Sequence, residues 1–301
     1  VTSGIDWQPR FLPGPAGRYF AFHVFASVSG PRSHGIVFCP PFAEESNKSR
    51  RTVRLAAAAL ARAGHDVLIV DLHGTGDSDG DFGDGSWTVW LEELVAAGHW
   101  LRGRGRDKLV YWGMRTGAAL ALDACERVQG EGVLLWQPVV KGRTFLTQFI
   151  RMRVAGDLMT GDAGASTKAI QATLAQGEEV EVGGYRLTPD FAAALSAIDL
   201  AAMSPHGSVH WMEVLPSAER DVPLPARQVL QAWQRQGGLV ELQRVVGASF
   251  WTTPEIAVVE ELVSAAGQLG HDLTRQGELR APAAAPTVSR EAGTPGTSPI
   301  E

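Results

Sequence analysis

Residues 108–112 form a short apolar run, Gly113-Met114-Arg115-Thr116-Gly117 is a Gly-x-x-x-Gly turn, and Ala118-Ala119-Leu120-Ala121-Leu122 opens an Ala/Leu-rich helix. Few patterns constrain a chain more. A buried strand that turns sharply into a helix, with glycines on both sides of the turn, is the grammar of a nucleophile elbow. The central residue of such a turn stands above the strand ends, where a Ser, Cys or Asp would attack substrate. Here it is Arg115. A guanidinium stays protonated at neutral pH and has no usable nucleophilic pair. The sequence therefore specifies a hydrolytic scaffold and withholds the group that drives the ordinary mechanism.

The flanking chain supplies the sheet that this turn needs. Apolar and aromatic residues alternate over 10–28 around Gly14-Pro15-Ala16-Gly17, which predicts a hairpin with its return strand at 18–25. A buried-type strand follows at 34–39, then a polar loop over 40–51 judged too charged for core, a helix over 49–63 closed by Gly64, and a strand at 65–71. A Gly-rich loop to Gly80 leads to a helix at 86–101, the elbow strand at 108–112, the elbow helix to Val128, and a strand at 132–140. Each strand is a continuous β-branched or aromatic run, as expected where helices cover both faces of a parallel sheet.

The pattern changes over 141–206, with an amphipathic helix at 145–158, a loose turn at 161–164, a Gly-Gly hairpin over 179–187 and a helix from Pro189 to Ala202. It reads as a lid inserted between the sixth and seventh sheet strands. A strand at 208–215, a helix at 225–236, a strand at 239–246 and a helix at 254–269 complete the alternation. The fold class is α/β, an α/β-hydrolase fold with a mostly parallel, doubly wound sheet of about eight strands and a helical and hairpin cap insertion. One domain spans 1–270, with the cap at about 141–206, and residues 271–301, rich in Ala, Pro, Gly, Ser and Thr, are expected to be a disordered tail.

Composition narrows the partners. A chain of 301 residues with 45% hydrophobic and 20% charged content is long enough for one well-buried domain. The net charge of -6, without any basic stripe interleaved with aromatics, argues against a nucleic-acid partner. Cys39 and Cys125 lie far apart with no ligand spacing, so neither a disulfide framework nor a zinc site is expected. No run approaches the ~18 apolar residues of a membrane helix, and the first ten residues lack a basic start before an apolar core. No Gly-rich phosphate loop with Lys-Ser/Thr is present. The expectation is a cytoplasmic protein without membrane span, metal or cofactor, whose partner is a small-molecule substrate or an anionic ligand.

In this fold the chain order is nucleophile, acid, His. Asp221, before Val222-Pro223, stands where the acid would follow the seventh strand, with a solvated turn residue as the alternative; Glu213 and Glu219 are weaker candidates. In Val246-Gly247-Ala248-Ser249-Phe250-Trp251, Ser249 occupies the place of the His. The base is therefore missing along with the nucleophile. His73, His206 and His210 are secondary candidates, each expected to be a solvated loop histidine. Cys39 would need a neighbouring positive charge to be a nucleophile and is otherwise a small buried hydrophobe. Ser78, in the turn over 71–80, is expected to steady that turn.

Arg115 has two readings. At a helix start in a cleft, between Met114 and Thr116, it suits a carboxylate or phosphate ligand. Alternatively it forms an internal ion pair with Glu44 or Glu45 on the Pro41-Phe42-Ala43-Glu44-Glu45 loop, where such scaffolds build an oxyanion hole.

Several stretches together resemble one family. Cys39-Pro40-Pro41-Phe42-Ala43-Glu44-Glu45-Ser46-Asn47-Lys48-Ser49-Arg50-Arg51, Gly76-Asp77-Ser78-Asp79-Gly80-Asp81-Phe82, Trp112-Gly113-Met114-Arg115-Thr116-Gly117-Ala118 and Leu134-Leu135-Trp136-Gln137-Pro138-Val139-Val140 are similar to the exosortase A system-associated hydrolase 2 proteins. With Phe145-Leu146-Thr147-Gln148-Phe149, Phe250-Trp251 and Glu255-Ile256, the likeness covers about residues 10–265. The resemblance implies an α/β-hydrolase fold, a link to bacterial exopolysaccharide and protein-sorting systems, and an Arg at the elbow as a family pattern. It implies an ester or thioester hydrolase with an altered site. A non-catalytic accessory protein that holds an anionic ligand remains the alternative.

Overall fold

A computed structural model describes residues 4–28, 30, 33–160 and 166–279. The chain opens with a hairpin, β1 (Trp7–Gly14) and β2 (Gly17–Val24), and then alternates: β3 (Gly35–Cys39), α1 (Glu44–Arg62), β4 (Asp66–Val70), α2 (Trp87–Arg102), β5 (Leu109–Met114), α3 (Gly117–Val128) and β6 (Gly132–Trp136). The insertion carries α4 (Gly142–Thr160), α5 (Thr167–Ala175), the hairpin β7 (Val180–Val182) and β8 (Tyr185–Leu187), and α6 (Pro189–Ala197). β9 (Ser208–Leu215), α7 (Leu224–Arg235), β10 (Leu239–Val246) and α8 (Glu260–Leu279) close the fold.

Eight strands form one sheet in the order β1-β2-β4-β3-β5-β6-β9-β10. The pairs from β4 to β10 are parallel, whereas β1, β2 and β4 pair antiparallel. Strands β3, β5 and β6 are buried along their whole length, because an apolar layer covers each face. On one face Val53, Ala57 and Leu60 of α1 and Leu262, Ala266 and Leu269 of α8 share a layer with Trp112 and Trp136. On the other, Leu94 of α2, Leu122 of α3 and Trp233 of α7 pack with Tyr111 and Trp211. The apolar runs of these inner strands are thus covered on both sides.

Five boundaries depart from the sequence expectation, the first being the helix expected from Pro189 to Ala202, which stops at Ala197. The segment over 40–51 is not a loop throughout, since α1 begins at Glu44; acidic residues in a first helical turn interact favourably with the helix dipole, so charge there marks a helix start. The strand expected over 132–140 stops at Trp136, where Gln137 takes a φ of 44°. The last helix begins at Glu260, not near residue 254. It continues to Leu279, past the expected start of the tail, and the rest of that tail, 280–301, lies outside the described residues, as does the turn expected at 161–164. Helix α5 was not anticipated; Ser166 caps it by accepting from the Ala169 N–H at 3.2 Å.

Candidate active site

The elbow is held by close backbone contact. A Cβ on Gly113 would meet Ala118 Cα at 2.5 Å, and one on Gly117 would collide with the carbonyl oxygens of Cys39 and Pro40. Both positions therefore exclude side chains, which lets α3 start directly against the end of β3. Between them Arg115 adopts φ 56°, a left-handed conformation that costs a non-glycine residue free energy and persists where surroundings enforce it. The enforcement is visible. The Arg115 N–H donates to Trp136 O at 3.0 Å, and the Val139 N–H donates to Arg115 O at 3.1 Å.

The Arg115 guanidinium turns toward α1. Its Nε donates to both carboxylate oxygens of Glu45 at 3.2 Å and its Nη2 to Glu45 Oε1 at 3.1 Å. Nη1 donates to the Gln137 carbonyl at 3.3 Å, and the guanidinium carbon lies 5.2 Å from the Trp251 ring centroid. Only 16% of the Arg115 side chain and 14% of the Glu45 side chain is exposed. Burial pushes the Glu45 carboxyl above the ordinary carboxylate range, and the Arg115 charge opposes that shift. Three of the five guanidinium N–H bonds take these acceptors, which leaves two for something in the cleft.

Behind the pair sits a relay that the sequence reading missed. Gln137 Nε2 donates to Glu213 Oε1 at 3.1 Å, the Val214 N–H donates to Gln137 Oε1 at 2.7 Å, and Trp211 Nε1 donates to Glu213 Oε2 at 2.8 Å. Glu213 is buried, and its carboxyl is raised by that burial against the lowering influence of Trp211, Gln137 and Arg115. The available signal was a lone amide between an apolar strand and Pro138. Ala43, Arg115 and Gln137, with φ of 53°, 56° and 44°, lie just beyond the ends of β3, β5 and β6, three adjacent strands. Three of the four non-glycine residues with positive φ among the described residues therefore gather at the carboxyl ends of these central strands, the fourth being Gln129 at the end of α3; strain of this kind is found at functional sites.

The pair lines a cleft of about 280 Å³ walled by Phe42, Phe145, Phe149, Met152 and Trp251, with Lys48 at its side. Helix α4 of the insertion contributes three of those walls, so the inserted segment shapes the site. Glu44 points elsewhere: it accepts from Tyr185 Oη at 3.1 Å and Asn47 Nδ2 at 3.0 Å, tying α1 to the β7–β8 hairpin. Phe42 is buried in an aromatic cluster with Phe82, Phe149 and Phe191; Pro41, Met114 and Thr116 are also buried, Met114 in the layer on the other face of the sheet. The Thr116 N–H donates to no acceptor among the described residues.

The remaining candidates separate from this centre. Asp221 and Ser249 are exposed, and no hydrogen bond among the described residues joins either to Arg115. The Ser249 carbonyl accepts from Thr252 Oγ1 at 3.0 Å. Ser78 Oγ donates to Asp71 O at 2.6 Å and accepts from the Phe20 N–H at 2.7 Å, which fastens the turn to β2. Cys39 is fully buried, its thiol pushed up by desolvation, and is therefore an inert hydrophobe.

Two histidines expected to be solvated are not. His73 is buried because the Gly-rich turn folds Gly80 onto its ring. His210 lies within β9, with Nδ1 3.3 Å from Glu241 and its pKa lowered by burial. It faces α8 at the opposite end of the strand from Glu213. Among the described residues no His, Cys, Asp or Glu group is placed to hold a metal ion, and no helix is long and apolar enough to cross a membrane.

No family profile and no curated protein matches the chain. Solved structures do. Est1E from Butyrivibrio proteoclasticus, with ferulic acid bound, aligns at a TM-score of 0.66 and 13% identity over 88% of this chain and 99% of its own. An α/β serine hydrolase without lid from Xanthomonas campestris aligns at 0.57 and 17% identity, covering 90% of this chain and 95% of that one. Carboxyl esterase 2 from the fungus Tuber melanosporum aligns at 0.57 and 16% identity over 91% and 86%. The fold is that of the α/β-hydrolases. At such identities the likeness carries the architecture and not the chemistry.

Proposed function

We propose that the chain is an ester- or thioester-directed hydrolase that works without a serine nucleophile, using the Arg115–Glu45 pair at the elbow. The observation that carries this reading is the position of the pair: a charged couple, mostly withdrawn from water, stands where the fold presents its reacting group to an aromatic-walled cleft. Water, not the protein, forms the bond to the acyl carbon. Glu45 takes the proton from that water. The oxyanion that develops accepts from the two unused Arg115 N–H bonds and the Thr116 amide. The C–O or C–S bond then breaks, and Glu45 returns the proton to the leaving alkoxide or thiolate, giving an acid and an alcohol or thiol. Burial raises the Glu45 carboxyl, which moves it in the direction a general base requires. The sequence likeness to the exosortase A system-associated hydrolase 2 proteins supports a setting in bacterial exopolysaccharide or protein sorting.

One observation favours a second reading. Glu45 already engages Arg115 through two guanidinium nitrogens, the arrangement of a structural pair in a binding or accessory protein without turnover. Assays of a panel of p-nitrophenyl esters and acyl thioesters on wild type and Glu45→Gln separate the two. Hydrolysis that Glu45→Gln abolishes, with no serine labelled by a fluorophosphonate, is the expected result. Stoichiometric fluorophosphonate labelling of one serine contradicts both readings. Stabilisation by short carboxylates without any turnover selects the second.

A further inference from the structure

We infer that the crevice between α1 and the β1–β2 hairpin is a second binding site, separate from the elbow cleft, for a small aryl monoanion such as an aryl carboxylate. The two sites use different faces of one helix. Glu45 and Lys48 of α1 face the elbow cleft, whereas Ser46, Arg50, Val53 and Arg54, at i, i+4, i+7 and i+8, line the crevice. Its volume is about 260 Å³, enough for one or two fused rings.

The walls are flat and aromatic. Trp7 and Phe22 meet edge to face at 6.3 Å, and Phe38 closes the floor. Strand alternation puts Trp7, Phe11, Phe20 and Phe22 on one face of the hairpin. Phe22 is 37% exposed and Phe11 53%, so this face keeps uncovered rings beside the crevice.

Charge decides the head group. Arg50 Nη2 is already neutralised by Asp71, at 3.3 Å from Oδ1, and the Asp77 N–H donates to the same carboxylate at 3.2 Å. The one acid of the crevice is therefore directed at its own partners. Arg54 differs. Its guanidinium carbon sits 5.1 Å from the Trp7 ring centroid, and among the described residues it has no acidic partner. A guanidinium laid on an indole keeps its N–H edge free for a carboxylate while the ring below takes an apolar body. One uncompensated cation at the rim of an aromatic crevice matches one negative charge on a flat molecule.

Titration calorimetry of the full chain with 2-naphthoate, and with neutral naphthalene-2-methanol for comparison, tests this. Saturable naphthoate binding is expected, weakened about tenfold by Arg54→Gln, an exposed substitution, and further by Arg54→Glu. Lys48→Glu, in the elbow cleft, is expected to change it less than twofold. The alcohol is expected to bind about tenfold more weakly than the acid. Absence of saturable binding overturns the inference, as does equal binding of acid and alcohol. Loss on Lys48→Glu with retention on Arg54→Gln overturns it by assigning the ligand to the elbow cleft, and leaves the hydrolytic reading intact.

Discussion

Two regions at the carboxyl ends of the sheet strands differ in how they are built. At the ends of β3, β5 and β6, Arg115 is fixed by its backbone to Trp136 and Val139, by its side chain to Glu45 and Gln137, and through Gln137 to Glu213. At the loops after β9 and β10, where acid and histidine would stand, Asp221 and Ser249 are exposed and engage none of those groups. The contrast teaches that scaffold and chemistry are separable. The tight strand-to-helix turn is built here around a cation, and the polar contacts among these groups lie on that cation's side of the sheet.

The largest effect should come from the backbone contact that makes the elbow. Gly117→Ala places a methyl group against two carbonyl oxygens that belong to main chain and cannot rotate away. It should destabilise by about 3 kcal/mol or more, measured by urea unfolding. A loss below about 1 kcal/mol would mean that the elbow edge yields as easily as the other and that the contrast is false.

A second experiment separates buried carboxylates that have a cation from those that do not. Glu93, on α2, is buried, accepts from the His73 N–H at 2.8 Å, and is pushed up to about 7 by desolvation. A carboxyl whose folded pKa exceeds its unfolded value contributes best when protonated. Its share of stability is therefore full below about 4.5, falls as pH rises to about 7, and is flat above. Glu93→Gln should remove that slope and stabilise the protein at pH 8 by roughly 2 kcal/mol. Identical pH profiles for the two proteins would show that Glu93 titrates alike folded and unfolded.

The smallest effect belongs to the β9–β10 loops. Asp221→Asn with Ser249→Ala should shift stability by less than about 0.5 kcal/mol and leave any ester turnover unchanged. A large loss of turnover in this double variant would restore a conventional acid and relocate the site.

Much of this architecture was legible because it is local. The Gly-x-x-x-Gly turn after an apolar strand, the Gly-Gly hairpin at Gly183-Gly184 and the helix start near Ser86 each follow from short-range sterics or hydrogen bonding. Glu44 or Glu45 stood out as a partner for Arg115 because the loop and the elbow flank strand ends that this fold makes adjacent; the structure selects Glu45 and gives Glu44 to Tyr185. What escaped was long-range. Gln137 and Glu213 are 76 residues apart, and only the β6–β9 pairing brings them together. His73 read as solvated because nothing in its loop reveals that Gly80 will fold over it. The charged start of α1 read as a loop because helix-dipole stabilisation and solvent exposure favour the same residues.

The central claim is that Arg115 and Glu45 act as one unit at the elbow. A double-mutant cycle with Arg115→Met, Glu45→Gln and both, followed by denaturant unfolding at neutral pH, measures this directly. Arg115→Met alone should cost about 3 kcal/mol, because it strands a buried carboxylate. The double variant should recover part of that loss, giving a coupling of about 1.5 kcal/mol or more. Additive losses, with coupling within about 0.3 kcal/mol of zero, would contradict the claim and reduce the elbow pair to two independent side chains.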